Sequence, residues 1–226
     1  MSPVRASSRP PQLFLVVGKT DCCDQLSIRT VKSQVGDEGR CCWTIAQEEG
    51  DEPSDRLVAD QVRDNFVHWI DLLGQESAAA QNLKQPITCW AKIRPDGPKA
   101  YSPVKIVDWI YLMIEEVDSD VAKFDAVAFL RFGARSLFLQ KEEQLVRHES
   151  IFCALDFYCR QQRKGFGLLL FSEALKHQAV AARNVAFDRP TAAMVTFLEK
   201  HFSLRNPITQ HNRFVIFDDF FAQSPA

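Results

Sequence analysis

Residues 150–182 read "SIFCALDFYCRQQRKGFGLLLFSEALKHQAVAA", and the order of residue types in this stretch decides the fold class. The first ten residues, 150–159, form the most strand-like run in the chain, apolar and aromatic almost throughout. The last sixteen, 167–182, are rich in Leu and Ala and have helical length. Between them Gly165 and Gly167 flank Phe166, behind Gln162, Arg163 and Lys164. A glycine turn leading from a strand into a helix puts successive backbone N–H groups around an anion, and the helix dipole favours negative charge there. Arg163 and Lys164 add positive charge. A dinucleotide fingerprint needs a third glycine where Leu170 stands, and a Walker A loop needs Gly-Lys-Ser/Thr, which is absent. Six residues alone leave two readings: a phosphate-binding turn, or a turn whose basic residues are merely solvated.

Outward from this unit the chain alternates strands and helices. Strands are expected over 12–19, 25–31, 41–47, 85–93, 184–188 and 213–221, with turns at 36–40 and 94–98 and an acidic loop over 48–55. Leu57, Val58, Val62, Phe66, Trp69, Ile70 and Leu73 fall near helical spacing, so 56–80 is a helix that Gly74 can split in two. The apolar run 104–117 fits a buried strand or a helix, and its length does not decide. Segments 124–133 and 135–140 read as a hairpin, followed by a charged loop over 141–149. A helix over 191–202 starts with Pro190 in its first turn, where proline is tolerated.

Composition sets the outer bounds. The chain has 226 residues, 46% apolar and 25% charged, the profile of a globular protein with a sizeable core. Its 27 basic and 29 acidic residues give a net charge of −2, which argues against nucleic acid as a partner. No stretch nears the roughly 18 apolar residues of a membrane span, so no membrane partner is expected. The polar, proline-rich residues 1–11 lack the apolar region of a signal peptide and are expected to be disordered. Seven cysteines without such a signal suggest reduced cytosolic thiols. The adjacent pairs Cys22/Cys23 and Cys41/Cys42 lack the spacer of a structural zinc site, so no metal is expected.

Gln162-x-x-Gly165-x-Gly167 resembles the acyl-CoA pyrophosphate loop of the GCN5-related N-acetyltransferases. The flanking "LDFYC" and "FDRPTAAMVTFLEKHF" resemble a narrower family, the alpha-tubulin N-acetyltransferases. So do three distant segments, "AQNLKQPIT" (80–88), "FGARSLFLQ" (132–140) and "RFVIFDDFF" (213–221), and residues 55–221 can be laid on that pattern in order. The resemblance implies an α/β fold (α+β mixed), a central bent mixed sheet flanked by helices, as one acetyltransferase domain over 12–221 with a short tail at 222–226. The chain departs from the pattern in several places. The stretch between strand and glycine loop is short, Ala193 replaces a polar residue, 101–123 is divergent, and the first fifty residues match weakly.

What the resemblance implies for chemistry is acetyl-CoA-dependent transfer to a lysine of alpha-tubulin, in the cytoplasm on microtubules or axonemes, by a monomer. The amine of lysine, with a pKa near 10.4, must lose a proton before it attacks. Asp188 matches the family's catalytic aspartate, Cys153 a cysteine important for activity, and Gln81 a glutamine of the active-site region. Read without the family, Asp188 is a helix cap, Cys153 a small buried hydrophobe and Gln81 a residue bonded to its own helix end. Direct amine attack in a ternary complex is preferred to an acetyl-cysteine. Cofactor contacts are implied for Phe157, Tyr158, Cys159, Gln162, Arg163, Lys164, Gly165, Phe166, Gly167, Leu168, Thr191, Ala192 and Lys200. Arg163 and Asp156 are implied for the substrate, with Arg163 suited to an acidic partner. Arg189 is a further positioning candidate. Two alternatives stand beside this: a related enzyme with another acceptor, and a non-catalytic microtubule-binding protein that keeps the fold.

Overall fold

The computed structural model describes residues 13–19, 22–35, 41–46, 53–93, 107–118, 123–141 and 143–221. The expected turns at 36–40 and 94–98, the segment 1–11 expected to be disordered and the tail 222–226 lie outside the described residues. In chain order the strands and helices are β1 (Leu13–Lys19), β2 (Cys22–Val35), β3 (Cys41–Ala46), α1 (Pro53–Ala80), α2 (Trp90–Ile93), β4 (Asp108–Asp118), β5 (Lys123–Lys141), β6 (Gln144–Cys159), α3 (Phe166–Gln178), β7 (Ala186–Asp188), α4 (Ala192–Phe202), β8 (Pro207–Thr209) and β9 (Phe214–Phe217). Among the described residues they build a nine-stranded sheet in the order β3-β2-β1-β4-β5-β6-β7-β9-β8. Every neighbouring pair is antiparallel except β6 and β7.

Helices cover both faces of the sheet. The stripe Val62, Phe66, Trp69, Ile70 and Leu73 of α1 packs on Val16, Ile110, Leu112, Ile114 and Phe129. Leu169, Leu170, Phe171 and Ala174 of α3, with Leu198 of α4, pack on Leu15, Val17, Tyr111, Met113, Leu130 and Phe132 of the other face. Residues 110–114 of β4 are thus apolar at every position because alternate side chains enter opposite cores. This settles the described part of the ambiguous run 104–117 as a strand, from Asp108 onward.

Six expectations need correction. Helix α1 does not break at Gly74; it runs unbroken from Pro53 to Ala80. A Cβ on Gly74 would sit 1.9 Å from the carbonyl oxygen of Thr88, so the glycine lets the returning chain cross the helix at contact distance. That crossing is why 85–93 is not a strand. Its backbone is spent on α1 and on β5: the Trp90 N–H donates to Asp71 Oδ1 (2.6 Å), Ile87 C=O accepts from Arg131 (3.2 Å), and 90–93 closes as the short α2. Residues 124–140 are one strand rather than a hairpin, and the expected loop 141–149 is mostly the start of its partner β6. A register shift between Arg135 and Leu137 absorbs the turn-like residues, with Ser150 at φ 57°. Finally, Pro190 precedes the N-cap of α4 instead of opening its first turn. The expected strand 213–221 ends at Phe217 and continues as a 3-10 turn, and the short edge strand β8 had no signal.

Candidate active site

The site begins where β6 and β7 part. Only two residue pairs join them, Cys153 with Ala186 and Ala154 with Phe187. Just beyond, Arg131 and Phe132 of β5 face Asp156 and Ala154, which leaves Leu155 as a bulged extra residue. From Asp156 to Cys159 strand β6 therefore runs on without β7 beside it. The gap is flanked by the N-termini of α3, which follows β6, and of α4, which follows β7.

Helix α3 starts from Gly165, which is left-handed (φ 84°, ψ −10°) and offers no side-chain cap. Arg163 is left-handed as well, at φ 63°. The first-turn N–H groups of a helix have no acceptor within it, and here no side chain of the cap residue supplies one. A Cβ on Gly167 would come within 3.1 Å of the Phe157 ring, which also packs against Phe171 and Phe197. Gln162, Arg163 and Lys164 are exposed. Arg160, by contrast, is held by Glu76 (2.7 and 2.8 Å) and Asp125 (2.9 Å), and Gln161 donates to Glu115 (2.9 Å). The two residues before the loop are tied down while the three basic and polar residues of the turn project. Phe166 and Cys159 point into or beside the core, Tyr158 is half-buried, and Leu168 is half-buried on α3. Burial raises the Cys159 thiol above its ordinary range, partly offset by backbone N–H groups of Gln161 and Gly167.

The capping reading of Asp188 does not hold, because Thr191 is the N-cap of α4 and accepts from the Met194 N–H at 3.2 Å. Asp188 instead ends β7 with its carboxylate clamped by the next side chain, Arg189 Nε at 2.8 Å and Nη2 at 3.2 Å. Arg189 reaches back because its own backbone is left-handed, φ 45°. Ala192 is exposed in the first turn of α4, and Lys200 is exposed in the last turn of the same helix, at the far end from Thr191.

Cys153 is fully buried and donates to the Ile151 carbonyl at 3.2 Å. Burial pushes its thiol up to about 12; Arg135 pulls it back, and Asp188 and Asp108 push further. Directly paired residues share a face, so Asp108, Gly133, Cys153 and Ala186 form one row across β4 to β7. Two residues either side of Gly133 stand Arg131 and Arg135. Asp108 accepts from Arg131 Nε (2.9 Å) and Nη2 (2.5 Å) and from Arg135 Nη2 (2.6 Å); Asp108 and Arg131 are buried and Arg135 partly so. A Cβ on Gly133 would lie 2.3 Å from Asp108 Oδ1, so glycine makes room for this ion cluster. Along the chain only the period-two pattern Arg-x-Gly-x-Arg hints at it, because the acid lies on another strand.

Gln81 and Asp156 meet at the same edge. Helix α1 ends in a Schellman motif: Leu83 N–H bonds Ala78 O (2.9 Å), Asn82 N–H bonds Ala79 O (3.1 Å), and Asn82 takes the left-handed position, φ 54°. This fixes Gln81 at the helix end, where its Nε2 donates to Ser77 Oγ (2.9 Å) and approaches Asp156 Oδ1 (3.4 Å). Ser77 Oγ in turn donates to Asp156 Oδ1 (2.8 Å). Burial raises the Asp156 carboxyl above the usual range, offset by Thr88, Ser77, Arg131 and Gln81. The charge of Asp156 is also felt by Arg189. Gln81, Asp156, Asp188 and Cys153 thus surround one end of the gap, while the glycine turn lies beyond the other end of the unpaired part of β6. Ser77, Thr88, Asp108 and Arg135 join them without having been singled out in the sequence.

A bent mixed sheet whose two parallel strands splay over a glycine turn is the architecture of the GNAT acetyltransferases. Residues 44–226 match the family "GNAT acetyltransferase, Mec-17", and the chain belongs to that family. It is 35% identical over 159 residues to alpha-tubulin N-acetyltransferase 1 of Danio rerio, covering 70% of this chain and 50% of the relative. It is 35% identical over 170 residues to the alpha-tubulin N-acetyltransferase of Schistosoma japonicum, covering 72% and 60%. With that of Tetrahymena thermophila the identity is 30% over 166 residues, covering 73% and 37%. The chain spans about half the length of the curated relatives it matches.

Proposed function

We propose that this chain transfers an acetyl group from acetyl-CoA to the side-chain amine of a lysine in alpha-tubulin, by direct attack of the amine while both substrates are bound. The observation that carries the reading is the junction of one uncapped, glycine-started helix and one carboxylate-lined gap at the same strand separation. The residues fit acetyl-CoA. The start of α3 at Gly165 has no side-chain cap, which leaves first-turn backbone donors that suit a pyrophosphate. Gln162, Arg163 and Lys164 are exposed beside it, and Phe157, Tyr158, Leu168, Thr191 and Ala192 line the two helix starts. When bound, acetyl-CoA supplies the acetyl group as an activated thioester. Phe166 would take part by its N–H alone, since its ring is buried in the core. Lys200, at the far end of α4 from Thr191, has the weakest geometric support of these residues.

In this reading Asp188 removes the proton from the incoming ammonium, directly or through a water, with Arg189 fixing the carboxylate. Cys153 remains a neutral thiol at physiological pH, since burial pushes it up to about 12. A neutral, fully buried thiol is a poor nucleophile, which favours direct attack over an acetyl-cysteine. Asp156 and Gln81 face the acceptor side. Placement of the acceptor as alpha-tubulin, with Arg163 meeting acidic groups on it, rests on the names of the relatives. The same reading takes 12–221 as one catalytic domain acting in the cytoplasm on microtubules. The decisive experiment incubates the chain with acetyl-CoA and polymerised tubulin and reads lysine acetylation by mass spectrometry. Acetylation confined to other proteins would sink the acceptor assignment, and none on any lysine would sink the activity.

A further inference from the structure

Ser77 is 1% exposed, inside α1, and its hydroxyl is engaged on two sides. It accepts from Gln81 Nε2 at 2.9 Å and donates to Asp156 Oδ1 at 2.8 Å, a residue 79 positions away. A hydroxyl has one proton to donate. Because that proton is committed to the carboxylate, the lone pairs are what Ser77 shows to Gln81. Only the NH₂ end of the Gln81 amide can meet them. The reversed amide would set its carbonyl oxygen against the Ser77 lone pairs and against Asp156 Oδ1, which stands 3.4 Å from the amide nitrogen. The order of donation, Gln81 to Ser77 to Asp156, therefore fixes which end of Gln81 faces outward. The backbone cannot relax this, because the Schellman turn over Ala78–Leu83 anchors Gln81.

We infer that Ser77 and Asp156 are positioning residues that turn the Gln81 carbonyl oxygen toward the acceptor amine, and so set acceptor affinity through Gln81. This rests on the reading of the gap as the lysine-acceptor site. A lysine ammonium has three donors and no acceptor. An outward carbonyl attracts it, whereas an outward NH₂ would oppose it. Ser77 itself touches neither substrate.

The test is a double-mutant cycle with KM, kcat and acetyl-CoA affinity measured on each protein. Ser77→Ala is expected to raise KM for polymerised tubulin about tenfold, the worth of one hydrogen bond, with calorimetric acetyl-CoA affinity within about twofold. Adding Ser77→Ala to Gln81→Ala is expected to change KM by less than about twofold, because a residue acting only through Gln81 has nothing left to act on. Additive losses, or an unchanged KM in Ser77→Ala, overturn the proposal. An unchanged KM in Gln81→Ala overturns it as well. A second readout needs no turnover and uses the unaltered chain. In side-chain amide NMR, one Gln81 Nε2 proton should be protected from exchange, whereas two protons exchanging at the free rate overturn the inference. If the chain acetylates nothing, the functional reading fails, and the NMR result still decides the orientation of Gln81.

Discussion

Alkylation of Cys153 tests the difference between a covalent and a direct mechanism. The perturbation is iodoacetamide applied to the folded chain over a range of pH. The sulfur is fully buried and its proton is donated to the Ile151 carbonyl. Burial pushes the thiol up to about 12, with Asp188 and Asp108 adding to the shift and Arg135 opposing it. Only the thiolate reacts, so at pH 8 roughly one Cys153 in ten thousand is reactive, against roughly one in four for a free thiol with a pKa near 8.5. The folded chain is thus expected to react at Cys153 on the order of a thousandfold more slowly than the unfolded chain, before any further slowing from lack of access. The sign is fixed: raising the pH must accelerate the reaction about tenfold per unit up to the region of the raised pKa, with no plateau between pH 8 and 9. Mass spectrometry of the peptide that carries Cys153 supplies the rate, and the same peptide in urea supplies the reference. A folded rate within tenfold of the unfolded one at pH 8, or a plateau below pH 10, would refute the reasoning. So would an acetyl-Cys153 peptide formed with acetyl-CoA alone.

Asp188→Asn is expected to lower turnover by a factor on the order of 10² to 10⁴ while melting near the parent temperature, since Thr191 caps α4. Thr191→Ala should do the opposite, costing about 1 kcal/mol in urea unfolding; a stability loss in Asp188→Asn with normal turnover would reverse the two roles. Replacing Gly165 and Gly167 by valine should weaken acetyl-CoA binding sharply in calorimetry, because one position is left-handed and the other abuts Phe157. Unchanged affinity in the folded double variant would remove the turn from the cofactor site. Asp108→Ala leaves the buried Arg131 and the partly buried Arg135 without their counter-ion and should cost about 3–5 kcal/mol, and an unfolding midpoint like that of the parent would show that the cluster contributes nothing.

Part of this molecule was legible in the chain, and the readable part was local. The passage from β6 through the glycine turn into α3 could be read because each piece states its own conformation within a few residues. The stripe Val62, Phe66, Trp69, Ile70 and Leu73 gave α1 by its period, and it is the face that packs on the sheet. The segments resembling the alpha-tubulin N-acetyltransferases led to the family. Gly74, however, reads as a helix break by its propensity, whereas its lack of a side chain serves a contact with Thr88, fourteen residues on. The run 124–140 reads as two strands, 124–133 and 135–140, but it is one strand, in which Gly133 makes room for Asp108 on the neighbouring strand.

By itself the sequence determined the helices with one apolar stripe, the strand-turn-helix unit and the left-handed glycine that starts α3, since these follow from periodicity and from steric freedom at single residues. The tertiary structure decided that the described part of the ambiguous run 104–117, from Asp108 onward, is a strand, because burial on both sides of a sheet makes residues 110–114 apolar at every position. It also decided the site's electrostatics. Asp108 reaches Arg131 and Arg135 across strands, Ser77 reaches Asp156 across 79 residues, and Asp188 comes beside Cys153 through a two-residue parallel pairing. Polar groups pair wherever the fold brings them within hydrogen-bond distance, and distance along the chain carries no record of that.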